Sequence, residues 1–242
     1  MTAFPYTLQE DPRPAMGLVV LQVDETIEQD FRQLFAPKAC RLHITRVPSG
    51  AELTPDTIAT MATALAAAAA LLPREAALRV VGYACTSGTT LIGTDRVQSL
   101  ITSVLPTGAV TNPLAAALHA CRTLNLTRIG IVSPYIPTVA EPIRNAFEQG
   151  GLTVPETISF GEEIEARVAR IAPTSIAEAA RTLAARNQLD GIFLSCTNLR
   201  TLGIIPELEA DLGLPVLSSN QVLAWHMAQL AGVPMSCGSL TA

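Results

Sequence analysis

Apolar and polar positions along the chain alternate between two rhythms. Short apolar runs of strand length recur at Leu18–Val23, Leu78–Tyr83, Arg128–Val132, Ile192–Leu194 and Leu214–Leu217. Weaker strand patterns lie at Cys40–Val47, Gly108–Thr111 and Thr153–Ile158. Between them stand segments with helical spacing or helix-forming composition. Thr26–Phe35 puts Ile27, Phe31, Leu34 and Phe35 on one face, and others run from Thr54 to about Leu72 and over 94–103, 113–124, 138–149, 174–187, Ile205–Leu212 and 221–231. Thr54 followed by Pro55 is a helix start, an N-cap and a first helical position. Residues 1–16, with three prolines, read as an extended arm or surface wrap. Strands alternating with helices throughout predict parallel sheets covered by helices on both faces.

The pattern also repeats. Val80-Val81-Gly82-Tyr83 leads into Ala84-Cys85-Thr86-Ser87-Gly88-Thr89-Thr90-Leu91, and Ile192-Phe193-Leu194 leads into Ser195-Cys196-Thr197-Asn198-Leu199-Arg200-Thr201-Leu202. The two share small-Cys-Thr-(Ser/Asn)-x-x-Thr-Leu, with the cysteines 111 positions apart. Gly17-Leu18-Val19-Val20 matches Gly130-Ile131-Val132-Ser133 at a spacing of 113. Two element pairs at nearly one spacing predict an internal duplication. The expected fold is therefore α/β, with two pseudo-symmetric halves, each a mainly parallel sheet flanked by helices, and the active site between them. The first half is expected at 1–112 plus about 215–242, and the second at 113–214.

Composition removes several function classes. The 242 residues carry a formal net charge of −5 and no basic patch, which argues against nucleic acid. The longest apolar run, Met61–Leu72, has 12 residues and stops at Pro73, too short to span a bilayer. The first residues lack the apolar core of a signal peptide, so a cytoplasmic protein is expected. Five widely spaced cysteines without C-x-x-C fit neither disulfides nor zinc. His43, His119 and His226 form no metal-binding pair. Lys38 is the only lysine, and neither a phosphate-loop lysine motif nor G-x-G-x-x-G after a strand is present. No cofactor and no metal are expected.

Ligands of open α/β sheets bind beyond the carboxyl ends of the strands. There the chain offers Asp24, Cys85, Thr86, Ser87, Asn112, Tyr135, Cys196, Thr197 and Asn198, a set rich in hydroxyls, amides and thiols and poor in cations. Such donors, with helix N-termini, suit a small carboxylate. A cysteine at a helix N-terminus is expected to have a lowered pKa. Two thiols facing each other can divide the roles of base or nucleophile and acid. That pairing fits proton transfer next to a carboxylate and, equally, thiolate addition to an activated double bond. Cys40, Cys121 and Cys237 match no motif and read as buried packing. Asp24 reads equally as a helix N-cap and as a ligand group.

D-G-I-F-L-S-C-T at 190–197, I-P-E-L-E-A-D-L-G-L-P-V-L-S-S at 205–219, A-C-T-S at 84–87 and S-P-Y at 133–135, in this order, resemble the Asp/Glu racemase superfamily, in its maleate isomerase and arylmalonate decarboxylase branch. The resemblance implies Cys85 and Cys196 as catalytic thiols. It implies Thr86, Ser87 and Tyr135 as groups holding a carboxylate or enediolate-like state, with Thr197 as their counterpart in the second half. Decarboxylases of the branch carry glycine where Cys85 stands, so both thiols together favour an isomerase or racemase. Maleate isomerases carry asparagine where this chain has Asp24, within L-Q-V-D-E-T-I-E, a segment also similar to ectoine-utilisation proteins of the branch. The function expected is that of a cofactor-independent two-cysteine isomerase or racemase of a small carboxylic acid, most like maleate isomerase. The alternatives are an amino-acid or hydantoin-type racemase, an arylmalonate-type decarboxylase, and a non-catalytic acid-binding protein. A homodimer is expected on general grounds.

Overall fold

The structure is a computed structural model that describes residues 3–51 and 54–241. Two four-stranded parallel sheets organise it. The first has the order β2-β1-β3-β4, built from β1 (Ala15–Leu21), β2 (Arg41–Val47), β3 (Leu78–Ala84) and β4 (Val110–Thr111). The second has the order β6-β5-β7-β8, built from β5 (Ile129–Tyr135), β6 (Thr157–Glu162), β7 (Gly191–Leu194) and β8 (Val216–Ser218). The same order in both sheets is the duplication made visible, and the α/β architecture of two flanked sheets is the one the repeat predicts.

Helices alternate with these strands: α1 (Ile27–Leu34), α2 (Pro55–Ala69), α3 (Thr86–Ile92), α4 (Thr94–Thr102), α5 (Pro113–Thr123), α6 (Pro137–Gln149), α7 (Glu165–Val168), α8 (Pro173–Arg186), α9 (Ile205–Leu212) and α10 (Ser219–Ala231). Side chains on a strand point alternately to opposite faces, and β1 uses both. Met16, Leu18 and Val20 join a core with α1, α5, α10 and the second half, while Val19 and Leu21 face α2 and α4 through Ile58, Met61, Leu65, Val97 and Ile101. Among the described residues no helix is long and apolar enough to cross a membrane.

Helix α10 is the central brace. Ten of its 13 residues are buried, Trp225 completely. A helix apolar on most of its circumference needs neighbours all round, and α10 finds them in α1, α5 and β3. Gly82 on β3 allows the approach, since a Cβ there would lie 2.5 Å from the Met227 sulfur. Residues from about 215 were expected to return to the first half. β8 instead completes the second sheet, and the chain crosses back only at Ser218–Ser219, where α10 begins.

Three local expectations shift. The first strand starts at Ala15 and ends at Leu21, not at Val23. β6 lies at Thr157–Glu162 rather than Thr153–Ile158, because Pro155 has no N–H for a ladder and Thr153 makes only an isolated bridge to Arg128. β5 runs on through Pro134 to Tyr135, with its pairing to β6 shifting register there. Residues 3–14 have no regular secondary structure and leave Phe4, Tyr6 and Leu8 exposed.

Candidate active site

Cys85 follows β3 and Cys196 follows β7, the same place in the two sheets, and each is only 2% exposed. Cys85 is the N-cap of α3, a helix absent from the sequence expectation. Its Sγ accepts a hydrogen bond from Gly88 N–H at 3.1 Å, with Ser87 Oγ 3.7 Å away. Gly88 has no room for a side chain: a Cβ would come within 2.7 Å of both Cys85 Sγ and the Tyr83 hydroxyl. Cys196 Sγ accepts from Asn198 N–H at 3.3 Å, and the Tyr135 hydroxyl lies beside it.

Hydrogen bonds stitch the motifs together across the halves. Thr86 Oγ1 and Ser219 Oγ are 2.8 Å apart, and Ser219 Oγ also accepts from Cys196 N–H at 3.0 Å. Thr197 Oγ1 donates to the Ala84 carbonyl at 3.4 Å. Asn220 Nδ2 donates to the Thr197 carbonyl and to Asp30 Oδ2, both at 2.8 Å. Asn198 Oδ1 accepts from Glu25 N–H at 2.8 Å, its carbonyl accepts from Thr26 Oγ1 at 2.9 Å, and its Nδ2 donates to Glu165 Oε2 at 2.8 Å. The Cys196 loop is thus fixed from both halves.

It is also strained. Cys196 has φ +134°, a value that favours glycine, and such a conformation costs about 1–3 kcal/mol for another residue. Cys196→Gly should therefore unfold at a higher temperature than Cys196→Ala, both lacking the thiol. Allowing for the greater chain entropy of glycine, we expect a net difference of about 1 kcal/mol, read from thermal or urea unfolding. Equal stability would mean the backbone relaxes once the thiol is gone.

Burial overrules the expectation of lowered thiol pKa values. It pushes the Cys85 thiol up to about 11, with Ser87, Gly88 N–H and Tyr83 opposing and Glu165 reinforcing. Burial raises Cys196 well above its ordinary value, reinforced by Glu165 and Asp24. One N–H at the start of a seven-residue helix does not offset the loss of water around a thiolate in anionic surroundings. Both thiols are protonated in the resting site. Tyr135 is raised as well, chiefly by burial and then by the ionisable neighbours Cys196, Glu165 and Cys85.

Of the sequence candidates, Cys85, Thr86, Ser87, Tyr135, Cys196, Thr197, Asn198 and Asp24 come together. Asn112 does not join them: its Oδ1 accepts from Ala115 N–H at 2.9 Å, which caps α5. Asp24 serves in two ways. Oδ1 accepts from Thr26 and Ile27 N–H at 2.8 and 2.9 Å, holding the turn into α1. Oδ2 is buried, and although Thr197 lies beside it, it has no hydrogen-bond partner among the described residues. Burial raises the Asp24 pKa.

Three residues beside the thiols were not among the expected site residues, although Ser219 stood in the set of strand-end hydroxyls. Glu165, the first residue of α7, is 2% exposed, and burial pushes its carboxyl up to about 7 against the Asn198 hydrogen bond. Tyr83, two residues before Cys85 on β3, has a buried hydroxyl beside that thiol and no hydrogen-bond partner among the described residues. Ser219 joins the two cysteine motifs. Only Ser219 left a trace in the sequence, as a hydroxyl following a strand. The histidines sit elsewhere: His119 stacks on Trp225 and His226, and His226 Nδ1 is 2.8 Å from Thr111 Oγ1. Among the described residues no three His, Cys, Asp or Glu side chains group as a metal site.

The family model described as arylmalonate decarboxylase matches residues 42–241. The chain belongs to the arylmalonate decarboxylase family. This agrees with the resemblance to the maleate isomerase and arylmalonate decarboxylase branch of the Asp/Glu racemase superfamily. The arylmalonate decarboxylase of Bordetella bronchiseptica is 33% identical over 118 residues, spanning 48% of this chain and about half (49%) of that protein. The maleate isomerase of Nocardia farcinica is 26% identical over 232 residues, 91% of each chain. Among solved structures, a Nocardia farcinica maleate cis-trans isomerase mutant with a covalently bound succinylcysteine intermediate superposes with a TM-score of 0.80. It is 22% identical, covering 93% of this chain and 96% of that one. The relatives support an enzyme of the isomerase and decarboxylase kind.

Proposed function

We propose that this chain is a cofactor-independent isomerase or racemase of a small carboxylic acid, with Cys85 and Cys196 as its catalytic thiols. The observation that carries the reading is the placement of two thiols, one from each half, at equivalent strand ends, joined through Thr86, Ser219 and the Cys196 N–H. The decarboxylase reading gains nothing from a second thiol at position 85, whereas two-sided chemistry uses both.

In the racemase form, one thiolate removes the α-proton and the electron pair moves into the carboxylate as an enediolate. The other thiol then returns a proton to the opposite face. In the isomerase form, a thiolate adds to one alkene carbon of a cis-dicarboxylate and the π pair moves toward the neighbouring carboxylate. Rotation about the new single bond and expulsion of the thiolate then give the trans product. The covalent succinylcysteine of the Nocardia farcinica protein lends support to the second route. Thr86, Ser87, Tyr135 and Thr197 supply the donors for carboxylate oxygens. In either form one resting thiol must ionise once substrate is seated, and the N–H groups of Gly88 and Asn198 favour that step.

Proton NMR in D₂O with maleate, aspartate, glutamate, a hydantoin and an arylmalonate, each presented separately, tests the reading. Fumarate from maleate, or deuterium at one α-carbon, is the expected kind of result. Carbon dioxide release from the arylmalonate alone would overturn it in favour of decarboxylation.

A further inference from the structure

Tyr83 lies near the end of β3, two residues before Cys85, and the chain stays extended through Cys85, at φ −152° and ψ 113°. Their side chains therefore leave the same face of the sheet. The Tyr83 ring is fully buried, in an apolar cluster with Val19, Ile58, Met61, Leu65 and Cys85. A phenylalanine would fill that place without bringing a polar atom into it. Tyr83 brings a hydroxyl that has no hydrogen-bond partner among the described residues. A buried donor left in that way is costly, and packing gives no reason for it. Gly88 shows where the hydroxyl is aimed. The point where a Cβ would stand on Gly88 is 2.7 Å from the Tyr83 hydroxyl and 2.7 Å from Cys85 Sγ, and a glycine there keeps it clear.

Cys85 Sγ accepts one backbone N–H, from Gly88 at 3.1 Å. A neutral thiol needs no more, but a buried thiolate does, because the loss of water is what opposes its formation. Resting on the reading of Cys85 as a catalytic thiol, we propose that the Tyr83 hydroxyl is a donor held in reserve for the Cys85 thiolate, joining the Gly88 N–H when the sulfur ionises. The phenol keeps its own proton throughout: burial, and then Cys85, raise Tyr83 well above its ordinary value. Once the sulfur is an anion the hydrogen bond is charge-assisted, and stronger than one between neutral groups. The internal duplication did not supply this donor. The residue two before Cys196 is Leu194, and the tyrosine beside that thiol, Tyr135, comes from β5. The two tyrosines reach the two thiols from strands that do not correspond in the two sheets.

The test is Tyr83→Phe in the whole chain, first without substrate. Peptide mass spectrometry follows iodoacetamide alkylation of each cysteine between pH 8 and pH 10. The Cys85 rate should fall roughly tenfold or more at every pH, the loss of one hydrogen bond to a charged group, while Cys196 and Cys237 keep their rates. On the substrate identified by NMR, kcat should fall by a similar factor and KM should change less than about twofold, as for a group that acts after binding. The Tm should be no lower than that of the wild type, since phenylalanine removes an unpaired buried donor. An unchanged Cys85 rate overturns the assignment. So does a raised KM with kcat kept, which would give the hydroxyl to the substrate, and so does a Tm well below wild type, which would mean that the hydroxyl is already satisfied at rest. The reading of Cys85 as a catalytic thiol fails separately: Cys85→Ser would then keep its turnover, whatever the Cys85 alkylation rate in Tyr83→Phe.

Discussion

Cys85→Ser and Cys196→Ser should each lose turnover by roughly 10³-fold or more, because a positioned acid or base contributes about 10²–10⁴-fold and a lost nucleophile stops the reaction. The two losses should not add in the double variant, since residues that act as a unit fail together. The hydroxyl of serine is far less acidic than a thiol, so it can replace neither role while keeping the shape of the site. Folding should survive in both variants: Cys85 Sγ accepts one N–H, a hydrogen bond that Ser Oγ can also make as an N-cap. Far-ultraviolet circular dichroism checks that, and steady-state kinetics on the substrate found by NMR reads the loss. A single variant retaining near-wild-type kcat would reduce the chemistry to one thiol.

The second large effect is on stability. The Glu165 carboxyl stands at about 7 in the folded protein against an ordinary value of 4.5, and burial is the main cause. The native state therefore holds a proton that the unfolded chain has already released between these values. The corresponding stability is complete below about pH 4.5 and is lost as pH rises through 7. A shift of this size corresponds to about 3 kcal/mol. Glu165→Gln removes that loss while keeping the acceptor for Asn198. The stability of Glu165→Gln relative to wild type should thus climb by about 3 kcal/mol between pH 4 and pH 8, or roughly 6–12 °C in Tm for a chain of this length. Asp30, raised to about 6 mainly by burial, and Asp24, raised in the same direction, keep a residual fall in both proteins. Parallel pH–stability curves for the two proteins would show that Glu165 is charged at no such cost.

Much of this molecule is legible in its residues. The strand–helix alternation, the repeat of Gly17 in Gly130 and the matched cysteine motifs lead to two like-ordered sheets, because periodicity reports burial directly. Cys85 and Cys196 stand out since a strand end followed by small polar residues has one common place in an α/β fold. What stayed hidden depends on contacts between halves. Glu165 sits in a stretch rich in acids, with Glu162 and Glu163, whose pattern gives no sign of burial, and only the Asn198 amide and the segment at Ala51 make it internal. Tyr83 looks like one more apolar strand residue. Helix α3 had no range in the sequence reading because Thr86–Ile92 holds three threonines and a serine of poor intrinsic helix preference around a glycine; Thr89 and Thr90 hydroxyls bond back to the Cys85 and Thr86 carbonyls. The thiol pKa values went the other way because the strand ends that place the two cysteines are visible in sequence and desolvation is not.

With both thiols protonated at rest, slow alkylation at neutral pH does not separate an enzyme from a binding protein, so the decisive reading is of the occupied site. The measurement is peptide mass spectrometry of Cys85 and Cys196 alkylation at pH 9, across a titration of the substrate that the NMR panel identifies. Both thiols should be protected along one saturation curve, with Cys237, which lies outside the site, unaffected as an internal control. Protection of one thiol alone, or different half-saturation values for the two, would contradict a single site built from both halves.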